Sequence, residues 1–175
     1  MCIRDRYNEA LPMPARPDLP DLDQGVTRGG YLLEEADGDG PRINLLGSGT
    51  ILFEVQKAAE QLRSEGYAVA VFSITSFIEL ARDAERAEIA SRTQSDVQTS
   101  WLSRLFAEPG IPALAVTDYM TALPRMIASW MPGSYTALGT DGFGMSERRE
   151  DLRAHFRVDA ASIAETARSL AQDSV

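Results

Sequence analysis

Arg42-Ile43-Asn44-Leu45-Leu46-Gly47-Ser48-Gly49-Thr50-Ile51 is the stretch that decides the fold. Ile43, Leu45 and Leu46 make a short apolar run suited to a strand. Two glycines follow, and glycine takes φ > 0 at little steric cost, so the backbone can turn sharply there. Beyond the turn, Ile51, Val55, Ala58, Ala59 and Leu62 recur at helical spacing and predict a helix with one apolar face. A strand feeding a helix through a tight glycine turn is the first half of a βαβ unit.

The same alternation continues toward the C-terminus. Gly66 is placed to end the first helix. Residues 67–74 are apolar almost throughout and predict a strand covered on both faces. Ser76 and Glu79 have the spacing of a capping box, opening a helix that turns highly charged toward Arg92. Residues 97–106, with Trp101, Leu102 and Leu105, predict a shorter amphipathic helix, and residues 111–116 a third strand. Asp118 is expected to cap a first turn at residues 119–121, with a break near Leu123 because Pro124 suits the start of a new helix. Residues 135–138 predict another strand, and residues 139–146 a glycine-rich loop. Ser146 is expected to cap a helix reaching Phe156. Asp159 is expected to cap a last helix with an apolar stripe of Ala160, Ile163, Ala164, Ala167, Leu170 and Ala171.

Toward the N-terminus, Tyr31-Leu32-Leu33-Glu34-Glu35 reads as an edge strand and Asp37-Gly38-Asp39-Gly40-Pro41 as a turn. Pro12, Pro14, Pro17 and Pro20 favour an extended, semi-rigid chain, so residues 7–30 read as a connector. Residues 1–6 are unlike the rest and read as a non-native remnant. The expected organisation is thus a remnant (1–6), a connector (7–30) and one domain (31–175), the C-terminal domain of a longer polypeptide.

Composition narrows the function classes. A length of 175 residues suffices for one domain with a core. The net charge of -9 argues against nucleic acid and against an anionic membrane surface, since both require a basic footprint. No apolar run approaches membrane-spanning length. A single cysteine, Cys2, forms no internal disulfide, and the expected setting is reducing and cytoplasmic.

The candidate sites are sparse. Gly47-Ser48-Gly49 after a strand suggests a dinucleotide fingerprint, but Leu52 stands at the third glycine position and the next strand ends in Ser73 and Thr75 without a ribose-binding acid. A tight structural turn is the favoured reading. Gly38-Asp39-Gly40 matches the opening of a thiamine diphosphate motif, but no Asn-Asn pair follows anywhere. His155 is the only histidine, with no identifiable nucleophile, and one His with one Cys makes a poor metal site. The expectation is no catalytic, cofactor-binding or metal-binding residue in this chain. Residues 139–146 are the unusual stretch, read either as a surface meeting another chain or bordering a pocket, or as a long connection.

Several separated motifs are familiar as a set. They are Leu46-Gly47-Ser48-Gly49, Val71-Phe72-Ser73-Ile74-Thr75-Ser76-Phe77, Glu79-Leu80-Ala81-Arg82-Asp83 and Thr117-Asp118-Tyr119-Met120. Leu138-Gly139-Thr140-Asp141-Gly142-Phe143-Gly144 follows with Ser146, Arg149, His155-Phe156 and Val158-Asp159-Ala160. Together they resemble the C-terminal domain of the homodimeric bacterial pyruvate dehydrogenase family, with wider kinship to transketolase C-terminal domains. The resemblance implies a three-layer α/β/α fold with a mainly parallel sheet of about five strands.

It also implies a parent enzyme that decarboxylates pyruvate on thiamine diphosphate with magnesium and passes the acetyl group to the lipoyl group of an acyltransferase component. Catalytic and cofactor residues would lie in preceding domains, leaving this fragment without cofactor and inactive alone. Its own role would be dimer support and architecture near the active-site entrance, with Asp141, Gly142, Phe143, Gly144, Met145, Ser146 and His155 as candidate residues. Two departures stand out. Met145 occupies a position that is usually basic in the family, and Ala154 one where some relatives carry a second His. The alternative is a free-standing α/β binding or interaction module without catalysis; a nicotinamide-dependent enzyme is disfavoured by Leu52 and Ser73. A domain cut from a dimer is expected to expose apolar surface, with Phe143, Met145 and Trp130 as candidates.

Overall fold

The structure, a computed structural model, describes residues 11–12, 14–93 and 98–172. The remnant expected at residues 1–6 lies outside the described residues, as does residue 97 of the helix expected over 97–106, which begins at Trp101.

A five-stranded sheet has the order β1-β3-β2-β4-β5. β2 (Arg42–Ser48) is central, because its run Ile43 to Gly47 is apolar or small enough to be buried on both faces. β3 (Ala68–Ile74) pairs with it in parallel on one side and is buried at every position. β4 (Ala113–Val116) pairs with it in parallel on the other side, and β5 (Tyr135–Leu138) pairs in parallel with β4. β1 (Gly30–Glu34) closes the β3 edge as the one antiparallel strand. The sheet is therefore mainly parallel.

Side-chain alternation sorts the core into two halves. Ile43, Leu45, Val69, Val71, Leu114 and Val116 point to one face. There α2 (Leu52–Ser64) and α7 (Ala160–Gln172) bury Val55, Leu62, Ile163 and Ala167. Leu46, Phe72, Ile74 and Ala115 point to the other face, covered by α3 (Phe77–Thr93), α4 (Trp101–Leu105) and Ile127. Helices on both faces make the three layers expected of an α/β fold. From β2 the chain steps one way to β3, then crosses back past β2 to β4. The direction of winding therefore reverses between β2 and β4, at the carboxyl ends of the parallel strands, where open α/β sheets form a crevice.

Several local expectations change. Of the connector expected over 7–30, residues 7–10 and 13 lie outside the described residues, and the described part turns helical after Asp21. Leu22 is buried and α1 (Leu22–Arg28) forms, ending at Gly29 in the left-handed region. The Gly29 carbonyl then accepts from the amides of Thr75 and Ser76, which ties α1 to the end of β3. Only half of the Ser76–Glu79 capping box forms. The Glu79 amide donates to Ser76 Oγ (3.2 Å), but the Ser76 amide is already used by Gly29 and the Glu79 carboxylate pairs with Arg82. β4 starts at Ala113 instead of 111, because Pro112 has no amide proton to give to a ladder.

Asp118 caps no helical turn. Its Oδ2 accepts from Thr50 Oγ1 (3.4 Å), and the break precedes α5 (Ala122–Arg125), with Pro124 in the first turn. Ser146 does not cap α6 (Arg149–His155), since Arg148 occupies the cap position; Glu150 and Asp151 meet the positive end of the helix instead. Asp159 precedes α7, but its Oδ1 is buried without a partner among the described residues. The Ala160 amide donates to Glu54 Oε2 (3.2 Å).

Candidate functional site at the strand ends

The crevice between the ends of β2 and β4 is closed by side chains placed just past each strand. Ser48 Oγ donates to Thr117 Oγ1 (2.9 Å), and Thr50 donates to Asp118 as described. Gly47 permits this close joint, because a Cβ there would sit 2.9 Å from Leu52 Cα.

The next two loops are joined to one another. The Thr140 amide donates to the Tyr119 carbonyl (2.9 Å), and Thr140 Oγ1 donates to the Asp118 carbonyl (2.9 Å). Asp141 accepts from the Thr121 amide (2.8 Å) and from Thr121 Oγ1 (2.6 Å). These two hydrogen bonds, the hydroxyl first, hold the Asp141 carboxyl below its ordinary value. A Cβ on Gly139 would collide with the Tyr119 carbonyl, so the two loops touch at backbone level. The pair of loops forms one platform, and its apolar side chains face outward: Tyr119 is 56% exposed, Phe143 95% and Met145 53%.

Behind the platform lies a groove of about 280 Å3. Thr50, Ile51 and Asp118 line it on the sheet side; Phe143 and Met145 form one rim, and Leu152, Phe156 and Val158 the other. The far rim is held by Glu54. This buried carboxylate accepts from Arg153 (2.9 Å) and Lys57 (2.9 Å) and from the first amide of α7, so α2 fixes both α6 and α7. Arg153 is itself largely buried.

The structure brings Gly142, Phe143, Gly144 and Met145 together at the groove. Asp141 lies beside them as the fastener to Thr121. Ser146 is exposed and lines no part of the groove. His155 is also exposed at the end of α6, its ring set edge-on to Phe156 at 4.9 Å. The groove lining contains no histidine or cysteine, and no group of three or more His, Cys, Asp or Glu among the described residues could hold a metal ion. Trp130, expected to be exposed, is half-buried against the α3 side and donates its indole N–H to Glu88 (2.9 Å). Sequence reasoning missed Thr50, Thr121, Glu54 and Arg153. The first could be found by asking which residues follow a parallel strand at a reversal of winding. Tyr135, at the start of β5, donates its hydroxyl to the Pro124 carbonyl (2.8 Å), and burial pushes its phenol up.

No helix among the described residues is long and apolar enough to cross a membrane. Residues 29–159 match the family model described as the transketolase-like TK C-terminal domain. The pyruvate dehydrogenase E1 component of Corynebacterium glutamicum is 38% identical over 160 residues, covering 90% of this chain and 17% of that relative. The Escherichia coli (strain K12) pyruvate dehydrogenase E1 component is 39% identical over 160 residues, covering 89% of this chain and 18% of that relative. The chain thus spans under a fifth of the length of these curated relatives. A transketolase from Pichia stipitis superimposes with a TM-score of 0.62 at 18% identity, over 86% of this chain and 19% of that one, a likeness of fold. Arrangement of the sheet and family match agree, and the chain belongs to the transketolase-like C-terminal domain family.

Proposed function

We propose that this chain acts as the third domain of a pyruvate dehydrogenase E1 component, where it serves assembly of a homodimer and shapes the approach to the active site. In that reading the whole enzyme decarboxylates pyruvate on thiamine diphosphate with magnesium and reductively acetylates the lipoyl group of an acyltransferase partner. The observation that carries the proposal is the platform at the strand ends. Four hydrogen bonds join two loops, yet Tyr119, Phe143 and Met145 are turned outward. Exposed apolar side chains beside a polar fastener are the features of a docking surface.

The residues present do not fit the diphosphate and magnesium themselves. Gly38 to Gly40 form a bend with Gly38 and Asp39 exposed, no Asn-Asn pair follows, and no metal-binding group is found among the described residues. No chemical step through the cofactor is therefore assigned to this chain.

The test is a domain exchange. The 175-residue chain alone, assayed with pyruvate, thiamine diphosphate, magnesium and an artificial electron acceptor, is expected to show no turnover. Joined to the remainder of the Escherichia coli relative in place of its own third domain, it is expected to give a dimer that turns over pyruvate. Phe143→Asp is expected to weaken that dimer. Turnover by the chain alone, or a hybrid whose dimer ignores Phe143→Asp, would defeat the proposal.

A further inference from the structure

Arg28, Arg86 and Arg104 come from three different helices, α1, α3 and α4, and line one crevice of about 570 Å3 on the α3 side of the sheet. It shares no lining residue with the groove at the strand ends. Its lining carries three arginines against one carboxylate, Asp83, a formal charge of +2 in a chain whose total is -9. Asp83 supplies the one negative charge already counted in that balance, and it pairs with Arg86. Its Oδ2 accepts from the Trp101 amide (2.6 Å), and its Oδ1 lies 3.9 Å from Arg86. Arg28 and Arg104 form no ion pair among the described residues, although Arg104 also borders a second crevice that Glu35 and Glu108 line.

Arg28 is nonetheless held in place. Its guanidinium carbon lies 5.5 Å from the centre of the Trp101 ring, and the Trp101 indole N–H is fixed to the Gly30 carbonyl (2.8 Å). An arginine fork already stacked on a ring loses less freedom when it takes a ligand. Thr99 adds a hydroxyl at the edge of the crevice.

We propose that this crevice binds the phosphoryl group of a soluble phosphometabolite, with a diphosphate ester as the best-matched class. Two guanidinium groups in no ion pair among the described residues, and a third paired with a carboxylate, suit a multiply charged anion whose oxygens accept from planar forks. The crevice is concave and within the size range of small-ligand sites, which favours a compact ligand over an extended acidic peptide. The proposal is independent of the role assigned to the strand-end platform.

The test uses the unliganded 175-residue chain with pyrophosphate as probe. Trp101 and Trp130 are the only tryptophans, so Trp130→Phe makes Trp101 the sole reporter. Titration at constant ionic strength is expected to give a saturable change in Trp101 fluorescence, matched by calorimetry on the unaltered chain. Arg104→Gln and Arg28→Gln are each expected to weaken binding by about tenfold or more, while Arg104→Lys, which keeps charge but loses the fork, falls between. Arg125→Gln, at the opposite loops, is the control expected to leave binding unchanged. Thermal unfolding of each variant verifies that it is folded, and the calorimetric readout stands if Trp130→Phe is not. No saturable binding in calorimetry would overturn the proposal. So would binding indifferent to both Arg28→Gln and Arg104→Gln, or binding of a poly-glutamate peptide in preference to pyrophosphate.

Discussion

Two glycine-rich joints lead from a strand into a helix, and they behave differently. At residues 47–49 the first glycine sits inside the packing: Gly47 faces Leu52 and Val55 with no room for a methyl group, and Leu46 before it is fully buried, while the exposed Gly49 turns the chain at a φ of +57°. At residues 139–144 only Gly139 is pressed against a neighbour. Gly142 adopts a φ of +102°, and a Cβ on Gly144 would meet open space. Gly47 and Gly139 answer to density, and Gly49 and Gly142 to chain direction, while the second joint alone adds a glycine, Gly144, with open space around it. The same residue type therefore marks both packed and open parts of the molecule, and neighbours decide which.

Glu54 links the two joints, since it stands on the helix after the first and holds the helices after the second. Glu54→Ala would leave Arg153 buried without its partner and the α7 amide unmet. It is expected to have the largest effect, about 3 kcal/mol lost in urea unfolding. Next comes the direct contrast. Gly47→Ala forces Leu52 or Val55 aside and is expected to cost about 1–3 kcal/mol, while Gly144→Ala is expected to stay within about 0.5 kcal/mol by the same measurement.

A third experiment concerns the fastener between loops. Asp141 has its carboxyl held below its ordinary value in the folded state, so its contribution is present above the unfolded value and is lost as pH falls through the folded one. Hydrogen exchange of the Thr121 amide is expected to be slowed at neutral pH, relative to an unprotected amide, and to keep that protection until the pH falls below the ordinary carboxylate range. Asp141→Asn is expected to remove that pH dependence. The smallest effect on stability belongs to Phe143→Ser, within about 0.5 kcal/mol. It is expected to reduce binding of an apolar dye, which separates display from folding.

Much of the layout was legible because periodicity reports burial. The short apolar run of β2 and the almost fully apolar β3 placed the sheet, and the stripe from Ile163 to Ala171 placed α7. The loop at 139–146 was legible as unusual because three glycines surround an exposed aromatic. Features made by distant residues were not. Glu54 and Arg153 are 99 positions apart, and a charged residue early in an amphipathic helix reads as solvated until α6 is laid over it. Trp130 misled in the opposite way: on a domain of a dimer it reads as exposed contact surface, yet the ring packs beside α3 and finds Glu88. The three arginines of the α3-side crevice come from α1, α3 and α4, so no spacing rule could gather them. Capping sites drifted because competitors were invisible, as when Gly29 took the amide that Glu79 was expected to reach.

The place of α7 has a consequence for synthesis. Ile163, Ala164 and Ala167 cover the same face of the sheet as Ile43 and Leu45 of the central strand, yet the ribosome makes them about 120 residues later. A nascent chain can pair β2 with β3 and lay α2 across them early, but that face is left partly bare until α7 leaves the exit tunnel. The interval is one in which a chaperone is expected to hold the chain, and a stalled message ending before Asp159 would release a sticky, half-roofed sheet.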